Sequence, residues 1–559
     1  MSAMKEVVGI ILSGGTTSEA TCQLLEAAER GKIREGMILL IESQGRKILA
    51  RVAQIIPYND FYIEGDAWSE ARRKGLPVPE DVARRYEICK LDLLMEIPRS
   101  EVKAPPQPGD RVYKIDPKTH LRDIFGASPG DPKFIWISTL SGYEDDPLPI
   151  PLYVENIPMH CAILGVTGSG KSFTAGVLIE KLSEIPAKNG KRVSYPIIII
   201  DAHGDYVDYS DYFENGGTLG EVKWIKRFVF PNAYRKNLDL RLKRNVREIG
   251  INLSIISLRE LAEIIILYYR GTLEGAELQV DGLESLLNYM IDVKGYSKDK
   301  INNLFINYFD DLIRGLDELA EDTKMHHSTK AAISRALNTF RSIEEQHYLL
   351  STASELKTAD FVDKITSEGG IAIFDFSADG APGVDLKTKQ FVMTYLATLL
   401  FNKFTEYKTR REDRYLMLVI EEAQNFIPDK TYPISSSLAH TKLSTIATQG
   451  RKFGLSLCLI SQRPSFVDRV VLSMCNTFFI HRVSPEDVNF VKIVSGGLPQ
   501  SFASRLTTMS TGDVIITGQM LPLPFPLLCH ILETERKVKP TIGRTNVCER
   551  LVQLREGSK

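Results

Sequence analysis

Short apolar stretches interrupted by turn residues make up the first quarter of the chain. Two of them, 37–42 and 47–53, flank the polar residues 43–46, and this spacing predicts a β-hairpin. Several more short strands of this kind predict a small barrel or curled sheet. The proline-rich stretch 145–151 is typical of a linker that leads out of this module. We therefore expect an N-terminal β-barrel over residues 1–150.

Apolar runs in the rest of the chain are continuous, as in strands that are covered on both faces of a parallel sheet. Helical patterns separate these runs, so the predicted fold class is α/β. Residues 238–357 lack a clear strand signal and carry apolar side chains at helical spacing, which predicts an inserted helical bundle. The α/β domain then comprises 151–237 and 358–535, with a C-terminal tail over 536–559. The apolar runs are Met159–Leu164, Pro196–Ile200, Ile371–Phe376, Leu416–Ile420, Leu455–Ile460 and Thr477–Ile480.

Composition excludes several classes of protein. Of 559 residues, 43% are hydrophobic and 25% charged, and no apolar run reaches the roughly 18 residues that a membrane span needs. No leader pattern is visible at the start, so we expect a soluble, cytoplasmic protein. The seven cysteines are odd in number and never spaced C-x-x-C, which favours reduced thiols over a disulfide framework or a zinc site. With 69 basic and 71 acidic residues, any nucleic-acid contact must come from local patches.

The strongest chemical signal is the stretch 165–172, which reads G-x-x-x-x-G-K-S between an apolar run and a helical pattern. In such a P-loop the glycines let successive backbone amides face phosphate groups at a helix N-terminus. Lys171 would reach the β- and γ-phosphates of ATP, and the Ser172 hydroxyl would bind Mg²⁺. The predicted nucleotide-binding residues are Gly165, Thr167, Gly168, Ser169, Gly170, Lys171, Ser172 and Phe173.

Acidic residues follow two of the apolar runs. Glu421 and Glu422 directly follow the run 416–420, at the end of the predicted strand. Because neighbouring strand residues point to opposite sides, the two acids can hold different roles. We expect Glu421 to orient Mg²⁺ and Glu422 to polarise the attacking water, the alternative being a solvated loop pair. Asp201 ends another run and is expected to help place the metal or the water. His203 has no partner at metal-ligand spacing and is interpreted as structural.

Polar residues around the run 455–460 provide candidates for sensing and stabilising charge. Gln462 follows the strand directly and is a candidate sensor of the γ-phosphate. Arg451 and Arg463 are both candidates for stabilising transition-state charge, with surface ion pairing as the alternative for each. Two basic segments, 235–247 and 408–411, are interpreted as solvated surface, although the first could touch phosphates.

The ordered motifs resemble those of the archaeal HerA ATPases of the HerA/FtsK superfamily. The matching stretches are 165–172, 201–206, 420–423, 450–454 and 461–464. This resemblance implies a RecA-like P-loop ATPase core that is preceded by the family's N-terminal (HAS-type) barrel. It further implies a homo-hexameric, ATP- and Mg²⁺-dependent translocase or helicase on double-stranded DNA, acting with a NurA-type nuclease in end resection and break repair. The catalytic residues are then Lys171, Glu422, Gln462 and Arg451, the last acting on a neighbouring subunit.

Two positions depart from the family pattern. Gln424 stands where a histidine commonly follows Glu-Glu-Ala, and Gln449 stands where a glutamate often precedes Gly-Arg-Lys. They leave open whether the chain is the main repair motor or a divergent paralogue. The alternatives are therefore a nucleotide-gated scaffold and a motor for another polymer. A membrane-docked conjugation-type motor is disfavoured, because no membrane helix is visible in the sequence.

Overall fold

A computed structural model describes residues 6–29, 31–128, 130–187, 190–432, 436–538 and 552. The chain forms two compact units. The first comprises the residues up to Tyr153, together with Ile480–Arg482 and Gly497–Glu535. The second comprises Val154–Phe479, Val483–Gly496 and the residues from Arg536 onwards. Most of the predicted tail over 536–559 lies outside the described residues.

A closed antiparallel barrel of six strands, in the order β1-β2-β5-β4-β3-β6, occupies the first part of the first unit. The predicted hairpin is confirmed: Ser43 pairs with Arg46 across the two-residue turn Gln44-Gly45. Both turn residues have positive φ, as a tight hairpin with right-handed strand twist requires. The strands are β1 (Val7–Ile11), β2 (Glu19–Leu24), β3 (Ile38–Ser43), β4 (Arg46–Asn59), β5 (Arg85–Ile97) and β6 (Arg111–Lys114).

The rest of the first unit contains four further antiparallel strands, which pair in the order β19-β20-β7-β8. The interpretation of 145–151 as a linker was wrong at its end, because Pro149–Pro151 belong to a strand that pairs with β7. The prolines fit there because the strand lies at the edge of the sheet. The elements are α1 (Ser69–Arg73), α2 (Pro117–Phe125), β7 (Phe134–Leu140), β8 (Pro149–Tyr153), α17 (Gln500–Ala503), β19 (Asp513–Gly518) and β20 (Leu527–His530).

The second unit is built on a sheet with the strand order β14-β13-β15-β12-β16-β17-β9-β18. The pairs from β14 to β9 are all parallel, which confirms the α/β fold class. All six apolar runs form strands of this sheet, and every residue of those strands is buried. They are β9 (Cys161–Leu164), β12 (Ile197–Asp201), β15 (Ile371–Asp375), β16 (Leu416–Ile420), β17 (Leu455–Ser461) and β18 (Thr477–Ile480).

Two parallel strands were missed by the sequence patterns, β13 (Ile225–Val229) and β14 (Val246–Glu248). Lys226 and Arg227 interrupt the apolar pattern of β13, but both are ion-paired. Arg227 forms a buried ion pair with Asp375 at the end of β15. β14 has only three residues and lies inside the interval that was expected to be wholly helical.

The inserted helices begin at Ser257, which caps the first of them in a capping box with Glu260. Leu261, Ile264 and Ile265 are buried, as their helical spacing predicts. The insertion contains α7 (Leu258–Arg270), α8 (Glu277–Asp292), α9 (Asn302–Ile306), α10 (Phe309–Asp322) and α11 (His327–His347).

The other elements of the second unit connect the strands of the sheet. They are α3 (Lys171–Leu182), β10 (Ile185–Pro186), β11 (Arg192–Val193), α4 (Val207–Glu214), α5 (Pro231–Lys236), α6 (Leu238–Leu242), α12 (Asp360–Glu368), α13 (Leu386–Arg410), α14 (His440–Gln449), α15 (Arg469–Ser473) and α16 (Val488–Val494). Within the described residues, no helix has the length and apolarity that crossing a bilayer requires.

Candidate nucleotide-binding site

The P-loop lies between β9 and α3, where the sequence predicts it. Gly165, Gly168 and Gly170 all have positive φ, at 154°, 73° and 110°. A Cβ on Gly168 would meet no atom within 4 Å, so glycine is required there by the backbone conformation and not by space. α3 begins at Lys171, and its free N–H groups and dipole produce a positive potential at the loop.

Side chains of the P-loop bond to its own backbone and to the end of β17. The Lys171 ammonium donates to the Val166 carbonyl at 3.0 Å, and the Ser169 hydroxyl donates to the same oxygen at 2.7 Å. Burial lowers the pKa of Lys171, while Glu422 and Glu421 act in the opposite direction. The Thr167 hydroxyl donates to the side-chain oxygen of Gln462 at 2.5 Å. The structure thus brings the predicted sensor residue to the P-loop.

Four parallel strands end at the same edge of the sheet and carry the remaining polar groups. Their order is β12-β16-β17-β9, so the acids that follow β16 lie two strands away from the P-loop. Ligands of α/β sheets bind at this carboxyl edge. Asp201 is the last residue of β12 and Ser461 is the last residue of β17, which Gln462 follows directly.

Glu421 is a buried carboxyl group directly after β16. One of its oxygens accepts the N–H of Ala202 at 2.9 Å and that of His203 at 3.3 Å. Burial, followed by the charges of Asp201 and Asp205, raises its pKa well above the usual range. A cation beside this carboxyl group would therefore be stabilised by the surrounding negative charge.

Glu422 is held on both carboxylate oxygens. Its Oε1 lies 3.3 Å from Nε2 of His203, and its Oε2 accepts a hydrogen bond from the Gln424 side chain. Gln424 in turn accepts a hydrogen bond from the Ser461 hydroxyl at 2.9 Å. Burial favours the neutral acid, but the bonds from His203 and Gln424 outweigh it and lower the pKa of Glu422. The group is therefore a carboxylate at neutral pH, as a base requires.

Glu421 and Glu422 both lie beyond the end of β16, so the strand alternation predicted for them does not apply. β16 ends at Ile420, and Glu422 adopts the left-handed conformation with φ 49°. A backbone turn, and not the alternation of strand side chains, therefore directs the two carboxyl groups to different partners. A positive φ in a non-glycine residue is strained and is common at functional sites.

His203, which was interpreted as structural, is the residue that sequence reasoning missed. It lies in the loop after β12, and its side chain remains half-exposed beside Glu422. The side-chain hydrogen bond to Glu422 raises its pKa. Its position two residues after an acid at a strand end was the available signal, but only the strand order β12-β16 makes it a neighbour of Glu422.

Asp201 organises the loop that carries His203. Its two oxygens accept backbone N–H groups from four consecutive residues at 2.7–3.3 Å. Burial, and then the neighbouring Asp375, raise its pKa to about 6. These contacts show that Asp201 holds the loop in place. That Asp201 also helps to place a metal stays a prediction. The four donors are His203, Gly204, Asp205 and Tyr206.

The two candidate arginines lie at opposite ends of β17. Arg451 precedes the strand and is exposed, and its guanidinium makes no hydrogen bond or ion pair with the described residues. Seven strand residues at about 3.3 Å each separate it from the carboxyl edge by roughly 20 Å. Arg463 follows the strand and donates to Glu486 at 3.3 Å. The structure thus does not bring Arg451 to the P-loop of its own chain.

Comparison with known proteins gives a consistent relationship over almost the whole chain. The family model "Helicase HerA, central domain" matches residues 136–400, which include the P-loop and the Asp201 loop. The DNA double-strand break repair helicase HerA of Sulfurisphaera tokodaii is 25% identical over 524 residues, 93% of this chain and 92% of that protein. The chain is similar to the HerA helicases. The DNA double-strand break repair helicase HerA of Sulfolobus acidocaldarius is 26% identical to this chain over 527 residues, 92% of each protein.

Two solved structures are similar to the chain at low sequence identity. VirB4 of Thermoanaerobacter pseudethanolicus is 16% identical to this chain, with a TM-score of 0.44, and the match covers 72% of this chain and 97% of VirB4. The plasmid coupling protein TrwB in complex with ADP and Mg²⁺ is 16% identical, with a TM-score of 0.47, over 77% of this chain and 95% of TrwB.

Proposed function

We propose that this protein is an ATP-driven DNA translocase or helicase of the HerA type that acts in double-strand break repair. The carrying observation is the carboxylate of Glu422, which His203 and Gln424 hold at the sheet edge that also bears the P-loop. A phosphate-binding loop beside an oriented base is the arrangement that nucleotide hydrolysis needs. The proposal that the polymer is DNA is supported by the names of the relatives that match over nine-tenths of their length.

The residues present fit a nucleotide with Mg²⁺. The Ser172 hydroxyl and the buried carboxyl group of Glu421 offer the oxygen ligands that Mg²⁺ prefers, with Glu421 acting directly or through water. Bound Mg²⁺ would supply charge neutralisation at the β- and γ-phosphates. Lys171 would exchange its bond to the Val166 carbonyl for these phosphates, because a buried ammonium is stabilised by a paired negative charge.

Glu422 would accept a proton from the attacking water as a general base. Its two hydrogen-bond partners hold the carboxylate in one orientation, so little reorganisation is needed during the reaction. Gln462 would sense the γ-phosphate, since its amide already contacts the P-loop through Thr167. Loss of the phosphate would then change the end of β17, which Ser461 connects to Gln424.

Arg451 would act on the nucleotide of a neighbouring subunit in a homo-hexameric ring. The proposal is supported by its position about 20 Å from the carboxyl edge of its own sheet and by its exposed side chain, which pairs with none of the described residues. An arginine supplied from a second subunit stabilises transition-state charge only when the ring is assembled. We further propose that the motor works with a NurA-type nuclease in end resection.

The test is steady-state ATP hydrolysis by the purified protein and two variants. Lys171→Ala should abolish turnover, because it removes the P-loop cation that is predicted to reach the β- and γ-phosphates. The matched control is Lys408→Ala, an exposed lysine at the end of α13, which should hydrolyse ATP at the wild-type rate. Wild-type turnover in Lys171→Ala would refute the P-loop assignment. Absence of hydrolysis in the wild type would favour the nucleotide-gated scaffold.

A further inference from the structure

Residues 231–247 form α5 and α6 between β13 and β14 and include the first two residues of β14; we name this stretch the α5–α6 segment. Its apolar anchor is small: Leu240 and Ala233 pack with Val229 and Val246 of the two strands. Most of its other side chains from Arg235 onwards are exposed. The segment therefore presents its surface outwards while its backbone is fixed on the sheet.

The neighbouring helix α4 fixes the second half of the segment. The carboxylate of Glu214, the last residue of α4, accepts the N–H groups of Arg244 at 3.0 Å and Asn245 at 3.2 Å. The Asn245 side chain donates to the Ser210 carbonyl at 2.8 Å. The segment is thus a preorganised surface, since its backbone is bonded on both sides.

Six basic residues lie on this segment, and three of them are engaged within the protein. Arg235 lies 3.7 Å from Glu248 and 4.1 Å from the Tyr348 ring centre. Lys243 is paired with Asp211 at 2.5 Å. Arg247 donates to backbone carbonyls, the nearer at 2.7 Å. For these three residues, the interpretation as ordinary solvated or paired surface is adequate.

The other three basic side chains have no partner in the part of the chain that the structure describes. Lys236, Arg241 and Arg244 are exposed, and their side chains form no hydrogen bond or ion pair with any described residue. The acid within the segment, Asp239, is a single exposed carboxylate. A local excess of positive charge remains on a chain whose overall charge is near zero.

Two exposed leucines accompany this charge. Leu238 and Leu242 are 58% and 71% exposed, and their spacing of four residues places them on one face of α6. The buried Leu240 between them holds α6 against the sheet. In a nucleic-acid complex, such leucines can contact apolar parts of the sugars and bases while the neighbouring cations contact the phosphates.

We propose that the α5–α6 segment is a contact surface for the phosphate backbone of DNA, carried by Lys236, Arg241 and Arg244. The inference rests on the proposed function, since it names where the polymer of the motor is held. Charge complementarity selects the partner: three unpaired cations are satisfied by successive phosphates, independently of sequence. The alternative is that the α5–α6 segment contacts a second copy of the chain, and the test below distinguishes the two.

The test measures binding of a fluorescein-labelled duplex of mixed sequence by anisotropy, at several salt concentrations, with the full chain. The variant is Lys236→Gln/Arg241→Gln/Arg244→Gln. Its matched control, Lys298→Gln/Lys300→Gln/Lys408→Gln, removes the same charge from exposed lysines elsewhere on the second unit. The first triple variant should bind roughly ten- to hundredfold more weakly at ~0.1 M salt, and its salt slope should fall by about two to three. The control should keep the wild-type slope.

Basal ATP hydrolysis without DNA separates this proposal from the proposed function. It should be unchanged in both triple variants, because none of the six residues belongs to the nucleotide site. If the wild type binds DNA and the Lys236→Gln/Arg241→Gln/Arg244→Gln variant binds it with the wild-type salt slope, the proposed DNA contact surface is wrong. The proposed function would then still stand. If that variant keeps the wild-type salt slope but forms a smaller assembly in mass photometry, the α5–α6 segment contacts a second copy of the chain and not DNA. A wild type that binds no DNA would overturn both proposals.

Discussion

Nε2 of His203 lies 3.3 Å from Oε1 of Glu422, although the two residues are 219 positions apart in the chain. The contact exists because β12 and β16 are neighbours in the parallel sheet and end at the same edge. Asp201 fixes the loop that carries His203 by accepting backbone N–H groups. The hydrogen bond raises the pKa of His203 and lowers that of Glu422.

The substitution His203→Gln should slow hydrolysis without preventing nucleotide binding. It removes the interaction that contributes most to lowering the pKa of Glu422, so that pKa rises. The acidic limb of the pH–rate profile should then move to higher pH, because Glu422 must be deprotonated to act as a base. We expect kcat to fall about tenfold, or roughly 1.4 kcal/mol. The control is His440→Gln, which disrupts a histidine–aspartate contact with Asp468 on other elements; a wild-type profile in His203→Gln contradicts this role.

The substitution Glu422→Gln should give a protein that binds ATP but hydrolyses it very slowly. The amide keeps the size of the side chain and loses the base, so kcat should fall by roughly 10²-fold or more. Nucleotide affinity is measured with a fluorescent ATP analogue, and turnover by phosphate release. Glu406→Gln, on the outer part of α13, is the matched control and should be fully active. If Glu422→Gln turns over at the wild-type rate, another group is the base.

Mixing two inactive variants tests whether Arg451 acts between subunits. Arg451→Ala leaves Glu422 intact, and Glu422→Gln leaves Arg451 intact, so a mixed ring contains interfaces at which both groups are present. Activity should reappear on mixing, with a maximum at intermediate ratios. Arg463→Ala, mixed in the same way, is the comparison, because Arg463 lies at the carboxyl edge of its own sheet. Arg451→Ala mixtures without activity would remove the support for a role between subunits.

The ion pair between Arg227 and Asp375 should be important for stability. Both side chains are buried, at 5% and 0% exposure, so Arg227→Met leaves a carboxylate without its partner inside the sheet. The free energy of unfolding should fall by about 3–5 kcal/mol, measured by urea denaturation. Arg192→Met removes one of the two cations that pair with Glu184, at an exposed arginine, and should change stability by less than about 1 kcal/mol. Equal effects of the two substitutions would contradict the burial argument.

Much of the fold follows from the sequence because apolar runs such as Leu416–Ile420 have one stable environment, a strand covered on both faces. The hairpin at Gln44-Gly45 follows equally from local turn chemistry. β13 was not predictable in this way, since Arg227 interrupts its apolar pattern and is accommodated only by a carboxylate from another strand. β14, with three residues, is too short to show any periodicity.

The chemistry of the candidate site was predictable where it is local and not where it depends on strand order. The P-loop is one continuous stretch, and its glycines adopt the positive φ values that its motif requires. The pairing of His203 with Glu422 joins two strand ends that sequence spacing does not relate. The distance of Arg451 from its own P-loop likewise depends on the direction and length of β17.

The central claim is that the protein is an ATP-driven motor that acts on DNA. It is tested most directly by the rate of ATP hydrolysis with and without linear duplex DNA. The wild-type protein should hydrolyse ATP slowly alone and several-fold faster with DNA. Glu422→Gln should hydrolyse ATP very slowly under both conditions. Hydrolysis that is the same with and without DNA, in a protein whose Lys171→Ala variant is inactive, would contradict the account and indicate a motor for another polymer.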